Sequence, residues 1–233
     1  RIDAYRIQSD EIVRLCYSGE VVKSKASKVL RSRTTIQAGA EIFGDSSRES
    51  ELESIRLMLD SLAITGIKET TLSIGHAGFT ASVLEPFKQL GSDLFSNIEA
   101  AVSRKSKSDL MSLIPEAFEQ KKYLINLCDM YGGRNILEEA KRAFSYIDNV
   151  SDYIENIDYI AKEIVKDRDL EIHIDLGEIQ GFKYHNGIVF SAYSGTAGYV
   201  LAKGGRYDGL RRSSEKDRPA VGFDLDLIAV SNL

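Results

Sequence analysis

The stretch TTIQAGAEIFG, residues 34 to 44, holds the first arrangement that could do chemistry. Read as a strand, it sends alternate side chains to opposite faces. Thr35, Gln37, Gly39 and Glu41 then share one face, and Ile36, Ala38, Ala40 and Ile42 the other, one face polar and one core. At a rise of ~3.3 Å per residue, Gln37 and Glu41 stand roughly 13 Å apart along the strand. Gly39 leaves a hollow between this amide and carboxylate, a shape suited to a small ligand with an ammonium group. An ordinary solvent-facing strand is the alternative reading.

Three other stretches hold residues of interest. In GFKYHNGIVF, residues 181 to 190, Tyr184 and His185 are adjacent at the mouth of a strand, and the Asn186-Gly187 turn puts them at an edge. His76 and His173 read as structural hydrogen-bonding residues. In GGRYDGL, residues 204 to 210, two glycines let backbone approach a ligand closely, and Tyr207 offers an aromatic face with a polar tip. Lys23, Lys25, Lys28, Arg31 and Arg33 form a run without an acid between Val22 and Thr34. Such a run reads as a solvated hairpin tip or as a contact for phosphate or a protein partner.

These residues need elements to hold them. Segments 12–22 and 34–44 read as a long hairpin, and 50–65 as an amphipathic helix with Leu52, Ile55, Leu59 and Leu62 inward and Gly66 as its stop. A strand follows at 70–78, then a helix. From about Asp93 to Lys166 strand signals vanish, and apolar residues recur every three or four positions in a helical insertion. Gly132 and Gly133 break it, and Pro115 sits near a helix start. Strands return at 170–177, 187–194 and 199–205, the last two as a hairpin, before a final VGFDLDLIAV segment. Strands and helices do not alternate strictly, which favours an antiparallel sheet with helices on one side over a parallel doubly wound one.

The chain has 233 residues, 43% of them hydrophobic and 28% charged, with a net charge of −5, so no broad basic field exists to attract nucleic acid. Cys16 and Cys128 stand alone, which points to packed, reduced thiols, a cytoplasmic setting, and neither metal nor cofactor. No apolar run approaches the ~18 residues of a membrane span. The chain opens at Arg1 inside ordinary folded sequence, so a fragment of a longer protein is expected.

Taken together, the stretches resemble histidyl-tRNA synthetase, a class II synthetase. GGRYDGL is similar to one histidine-specific signature of that family, and QGFKYHNGIVF at 180–190 to an altered form of the other, RGLDYYTG. QAGAEIFG at 37–44 resembles the end of motif 2, YSGE at 17–20 its beginning, and AVGFDLDL at 220–227 motif 3. The resemblance places the motif 2 arginine at Ser18, the activating arginine of RGLDYY at Gln180, and the motif 3 arginine near Ala229. At ~3 kcal/mol for each lost cation, adenylation would slow roughly a millionfold. What the resemblance leaves is an amino-acid pocket: Gln37 and Glu41 for the ammonium group, and Tyr184, His185 and Tyr207 around an imidazole.

That combination is similar to a paralogous family, the regulatory subunits of ATP phosphoribosyltransferase. Their GFKYHxG, LxIGHxG and RxRxxIQxGAExxG patterns match 181–187, 72–78 and 31–44. The resemblance implies an α+β, class II aminoacyl-tRNA synthetase-like fold in a single domain over 1–233. The anticodon-binding domain is absent from such subunits, and Arg1-Ile2-Asp3-Ala4 places the start of this chain after motif 1. It further implies a non-catalytic subunit that forms a homodimer and joins the short-form catalytic subunit in a hetero-octamer. That enzyme links ATP to phosphoribosyl pyrophosphate in the first step of histidine biosynthesis. Histidine is the implied effector, with a coupling of ~1 to 3 kcal/mol. An active histidyl-tRNA synthetase and a free-standing histidine-binding protein are the alternatives.

Overall fold

The computed structural model describes residues 11–23, 32–67, 69–179, 184–195, 198–208 and 218–233. The chain divides into two compact units, one formed by Arg1–Leu72 and Phe190–Leu233, the other by Ser73–Val189. It passes between them inside two strands.

The first unit is built on the hairpin β1 (Val13–Val22) and β2 (Thr34–Phe43), whose ladder runs from Val13 opposite Phe43 to Val22 opposite Thr34. Helix α1 (Arg48–Ile64) follows. Ser47 caps it by accepting from the Ser50 amide at 3.3 Å, and Glu49 and Glu51 sit in its first turn, where the helix dipole favours anions. Gly66, at φ +88°, takes the left-handed turn that ends it. Leu52, Ile55, Leu59 and Leu62 are all buried, as their spacing predicts. The unit is completed by β6 (Ile188–Ser194), β7 (Val200–Arg206), β8 (Ala220–Asp226) and a short last helix over Leu227–Ser231. Its strands lie in the order β1-β2-β8-β7-β6, and the β1–β2, β2–β8 and β7–β8 ladders are antiparallel.

The second unit takes strand β3 (Thr70–His76) into helix α2 (Ala77–Leu84) and a 3-10 turn over Glu85–Leu90. The helical segment that follows has five helices: α3 (Ser92–Ser103), α4 (Lys107–Leu113), α5 (Lys121–Leu127), α6 (Ile136–Ala143) and α7 (Val150–Asp167). α7 buries Ile154, Ile157, Ile160, Ala161 and Ile164, a continuous stripe at three- and four-residue steps. Phe79 and Phe144 meet edge to face at 5.1 Å in the core.

Two expectations for this segment need correction. Strand structure does not vanish, because Tyr131–Gly132 forms the two-residue strand β4, antiparallel to β5 (Glu171–Asp175). Pro115 does not open a helix. It follows α4 and pushes Ile114 into extended backbone (φ −100°, ψ 126°), which ends that helix.

Candidate functional site

Strands β2, β8 and β7 position the candidate site. Gln37 lies opposite Asp226, Gly39 opposite Asp224 and Glu41 opposite Gly222; across the next ladder, Asp224 faces Lys203 and Gly222 faces Gly205. Directly paired residues point to the same side of a sheet. One face therefore gathers Gln37, Glu41, Asp224, Asp226 and Lys203. The other carries Ala40, Ile42, Val221, Phe223, Leu225 and Ala202, and is the face that α1 covers.

Arg206 anchors that covered face. Its Nε donates to Glu51 Oε1 at 2.5 Å, Nη1 to the Asp45 carbonyl at 3.0 Å, and Nη2 to the Ser47 carbonyl and Ser50 Oγ at 2.9 Å each. The neighbouring residue serves the opposite face. Tyr207 donates its hydroxyl to Glu41 Oε2 at 2.6 Å. Alternation along GGRYDGL thus gives one residue to the packing of α1 and the next to the site. Gly204 is needed because a Cβ there would stand 2.2 Å from the Gly222 carbonyl. At Gly222 a Cβ would fall 1.9 Å from Glu41 Oε2, so only glycine lets the carboxylate lie over β8.

The polar face is less open than its sequence suggests. Thr35 is 3% exposed while Ile36, on the nominal core face, is 42% exposed. The hollow expected over Gly39 is filled by the ring of Tyr17, its partner across the β1–β2 ladder. A Cβ at Gly39 would stand 2.7 Å from Tyr17 Cε1, which makes this glycine the seat of an aromatic ring. Gln37 and Glu41 flank that ring.

The three carboxylates differ in how they are held. Asp226 Oδ1 accepts from Thr35 Oγ1 and from the Ala229 amide at 3.1 Å, and Oδ2 from Lys23 Nζ at 3.0 Å. Burial opposes its ionisation, yet these donors together hold Asp226 below the usual carboxylate range. Burial pushes Asp224 up, and the Asp226 charge adds to this while Lys203 and Lys23 oppose it. Glu41 is also raised, first by burial and then by Asp224, against the hydrogen bond from Tyr207. Burial thus lifts both Glu41 and Asp224 above the usual carboxylate range, whereas Asp226 is held below it.

Two of the residues matched to synthetase arginines, Ser18 and Ala229, lie among the described residues. Ser18 pairs with Ala38, so its side chain lies on the face opposite Gln37 and Glu41. Lys23, in the run expected as a solvated hairpin tip or a phosphate or partner contact, stands with Lys203 on the site's face and is engaged by Asp226. Ala229 is 2% exposed, with its carbonyl accepting from Tyr199 Oη at 3.1 Å. Gln180, Lys25, Lys28 and Arg31 lie outside the described residues. Arg33 donates to the Lys23 carbonyl at 3.0 Å.

Gln37, Glu41 and Tyr207 thus share one face of the first unit. Tyr184 and His185 belong to the second unit, their rings edge to face at 5.2 Å, with Tyr184 half exposed. The preceding glycine-rich motif, LSIGHAG, packs nearby in that unit: the Ala77 amide donates to the Gly187 carbonyl at 2.8 Å. Among the described residues, no group of three or more His, Cys, Asp or Glu could hold a metal ion, and no helix is long and apolar enough to cross a membrane. Asp224, Asp226, Lys203 and Tyr17 are site residues that the sequence analysis did not single out.

The fold is the α+β, class II synthetase-like one. It superposes on an ATP phosphoribosyltransferase regulatory subunit/histidyl-tRNA synthetase from Bacillus halodurans with a TM-score of 0.76 at 24% identity, covering 95% of this chain and 58% of that one. An ATP phosphoribosyl transferase (HisG:HisZ) complex from Thermotoga maritima gives a TM-score of 0.68 at 17% identity, covering 95% of this chain and 75% of that one. At those identities the likeness shows the fold.

The chain belongs to the histidyl-tRNA synthetase family, whose model matches residues 1–230. Its curated relatives include ATP phosphoribosyltransferase regulatory subunits. The one from Nitrosospira multiformis is 33% identical over 238 residues, covering 100% of this chain and 60% of the relative. The one from Thiobacillus denitrificans is 33% identical over 232 residues, covering 97% and 70%. The chain therefore spans about 60% of the length of the first of these.

Proposed function

We propose that this chain is the synthetase-like part of a regulatory subunit of ATP phosphoribosyltransferase, without catalysis of its own, and that it binds histidine on the face of Gln37 and Glu41. The observation that carries this reading is the division of charge on that face. Lys23 is spent on Asp226 and Lys203 faces Asp224, while Glu41 adds negative charge, an environment hostile to a triphosphate. Gln37 and Glu41 meanwhile keep acceptors for an ammonium group. Tyr207 fixes the Glu41 carboxylate in this reading.

The relatives that bear the regulatory-subunit name, and the solved complex, support assembly with a catalytic partner; we assign the protein to the cytoplasm. We assign the oligomer as a homodimer of this subunit within a hetero-octamer, with the basic run of Lys23, Lys25, Lys28, Arg31 and Arg33 or the helical segment meeting the partner. Calorimetry on the full-length protein tests the site. Histidine should bind the unsubstituted protein and give no heat with Glu41→Ala, since removing the carboxylate takes the counter-charge from a half-buried ammonium. Equal affinity in that variant would move histidine elsewhere.

A further inference from the structure

The geometry points to Asp224 as the positioning residue that sets the Gln37 amide as an ammonium acceptor, an inference that rests on the proposed histidine site. Gln37 Nε2 donates to Asp224 Oδ1 at 3.0 Å. An amide has one donating and one accepting end, and an ionised carboxylate only accepts. Pairing with Asp224 therefore commits the NH2 group and leaves Oε1 as the outward acceptor. Among the described residues no donor reaches Gln37 Oε1, and Glu41 is engaged only through Oε2.

Each acceptor is thus aimed by its own partner: Gln37 by Asp224, Glu41 by Tyr207. The two stand on the same strand face, four residues apart. Asp224 is tied to this task by the ladder, which places it opposite Gly39, midway between them. Asp226 is already satisfied by Thr35, Lys23 and Ala229 and takes no part. Lys203, across the other ladder, balances the charge of Asp224 without reaching Gln37 through any described bond.

In Asp224→Asn the partner becomes an amide that can accept or donate, so Gln37 loses its fixed sense. Calorimetry on the full-length protein, with histidine and with imidazolepropionate, which lacks the α-ammonium, tests the role. Asp224→Asn should weaken histidine by about tenfold or more, the scale of a hydrogen bond to a charged group. Imidazolepropionate should bind both forms equally, and in a Gln37→Ala background the Asp224 substitution should have no further effect on histidine. Equal losses for both ligands, additive losses in the double variant, or unchanged histidine affinity would overturn the inference while leaving the histidine site standing. Failure of the unsubstituted protein to bind histidine would overturn both.

Discussion

Replacing Arg206 with methionine should lower the stability of the first unit by about 3 to 5 kcal/mol, because it takes the guanidinium from the buried Glu51 carboxylate. The side chains of Arg206 and Glu51 are 7% and 3% exposed, so water cannot take over. The loss extends beyond the pair. The Asp45 and Ser47 carbonyls and Ser50 Oγ also give up a donor, and these atoms shape the first turn of α1. Against a total stability of ~5 to 15 kcal/mol, this is a large fraction. Removing both charges together, as Arg206→Met with Glu51→Met, should recover much of the loss, since a buried ion pair is worth little against well-packed apolar groups. Chemical unfolding of the unsubstituted protein and the two variants measures it; a loss below ~1 kcal/mol in Arg206→Met would show that the pair is not a structural anchor.

The second large effect lies in the other unit and depends on pH. His76 is 6% exposed, its Nδ1 has no hydrogen-bond partner among the described residues, and its ring lies tilted against Tyr153 with centroids 4.6 Å apart. Burial lowers its pKa from 6.5 to about 4. It also precedes α2, whose N-terminal dipole disfavours an imidazolium. The unfolded chain takes up this proton near pH 6.5 and the folded chain only near pH 4. Stability is therefore full above about pH 6.5 and is lost as pH falls toward 4, by roughly 3 kcal/mol in all. His76→Phe keeps a ring against Tyr153 and cannot titrate. Its unfolding free energy should lack this part of the acid slope, and parallel pH profiles for the two proteins would contradict the account.

Much of this architecture is legible in the sequence. The hairpin, α1 and the returning strands follow from alternation, helical spacing and glycine stops, because those patterns report local periodicity. The site is legible only in part. Parity along TTIQAGAEIFG puts Gln37 and Glu41 on one face, but parity along one strand does not say which strand lies beside it. The neighbour of β2 is β8, some 180 residues later in the chain, and the alternation of Gly222, Asp224 and Asp226 acquires meaning only once that pairing is known. The same holds for Tyr17 over Gly39 and for Lys23, whose partner Asp226 is 203 residues away. The face of Ser18 is likewise known only from its register with Ala38 across the β1–β2 ladder.

The central claim is that this face keeps an amino-acid site and has no seat for a triphosphate. Histidine-dependent exchange of pyrophosphate into ATP by the full-length protein tests it most directly, with turnover of the ATP phosphoribosyltransferase catalytic subunit followed in parallel. The account predicts no exchange, together with a rise in catalytic-subunit turnover on mixing that histidine reverses. Measurable exchange would contradict it, because a triphosphate would then be seated on the face assigned to an amino acid alone.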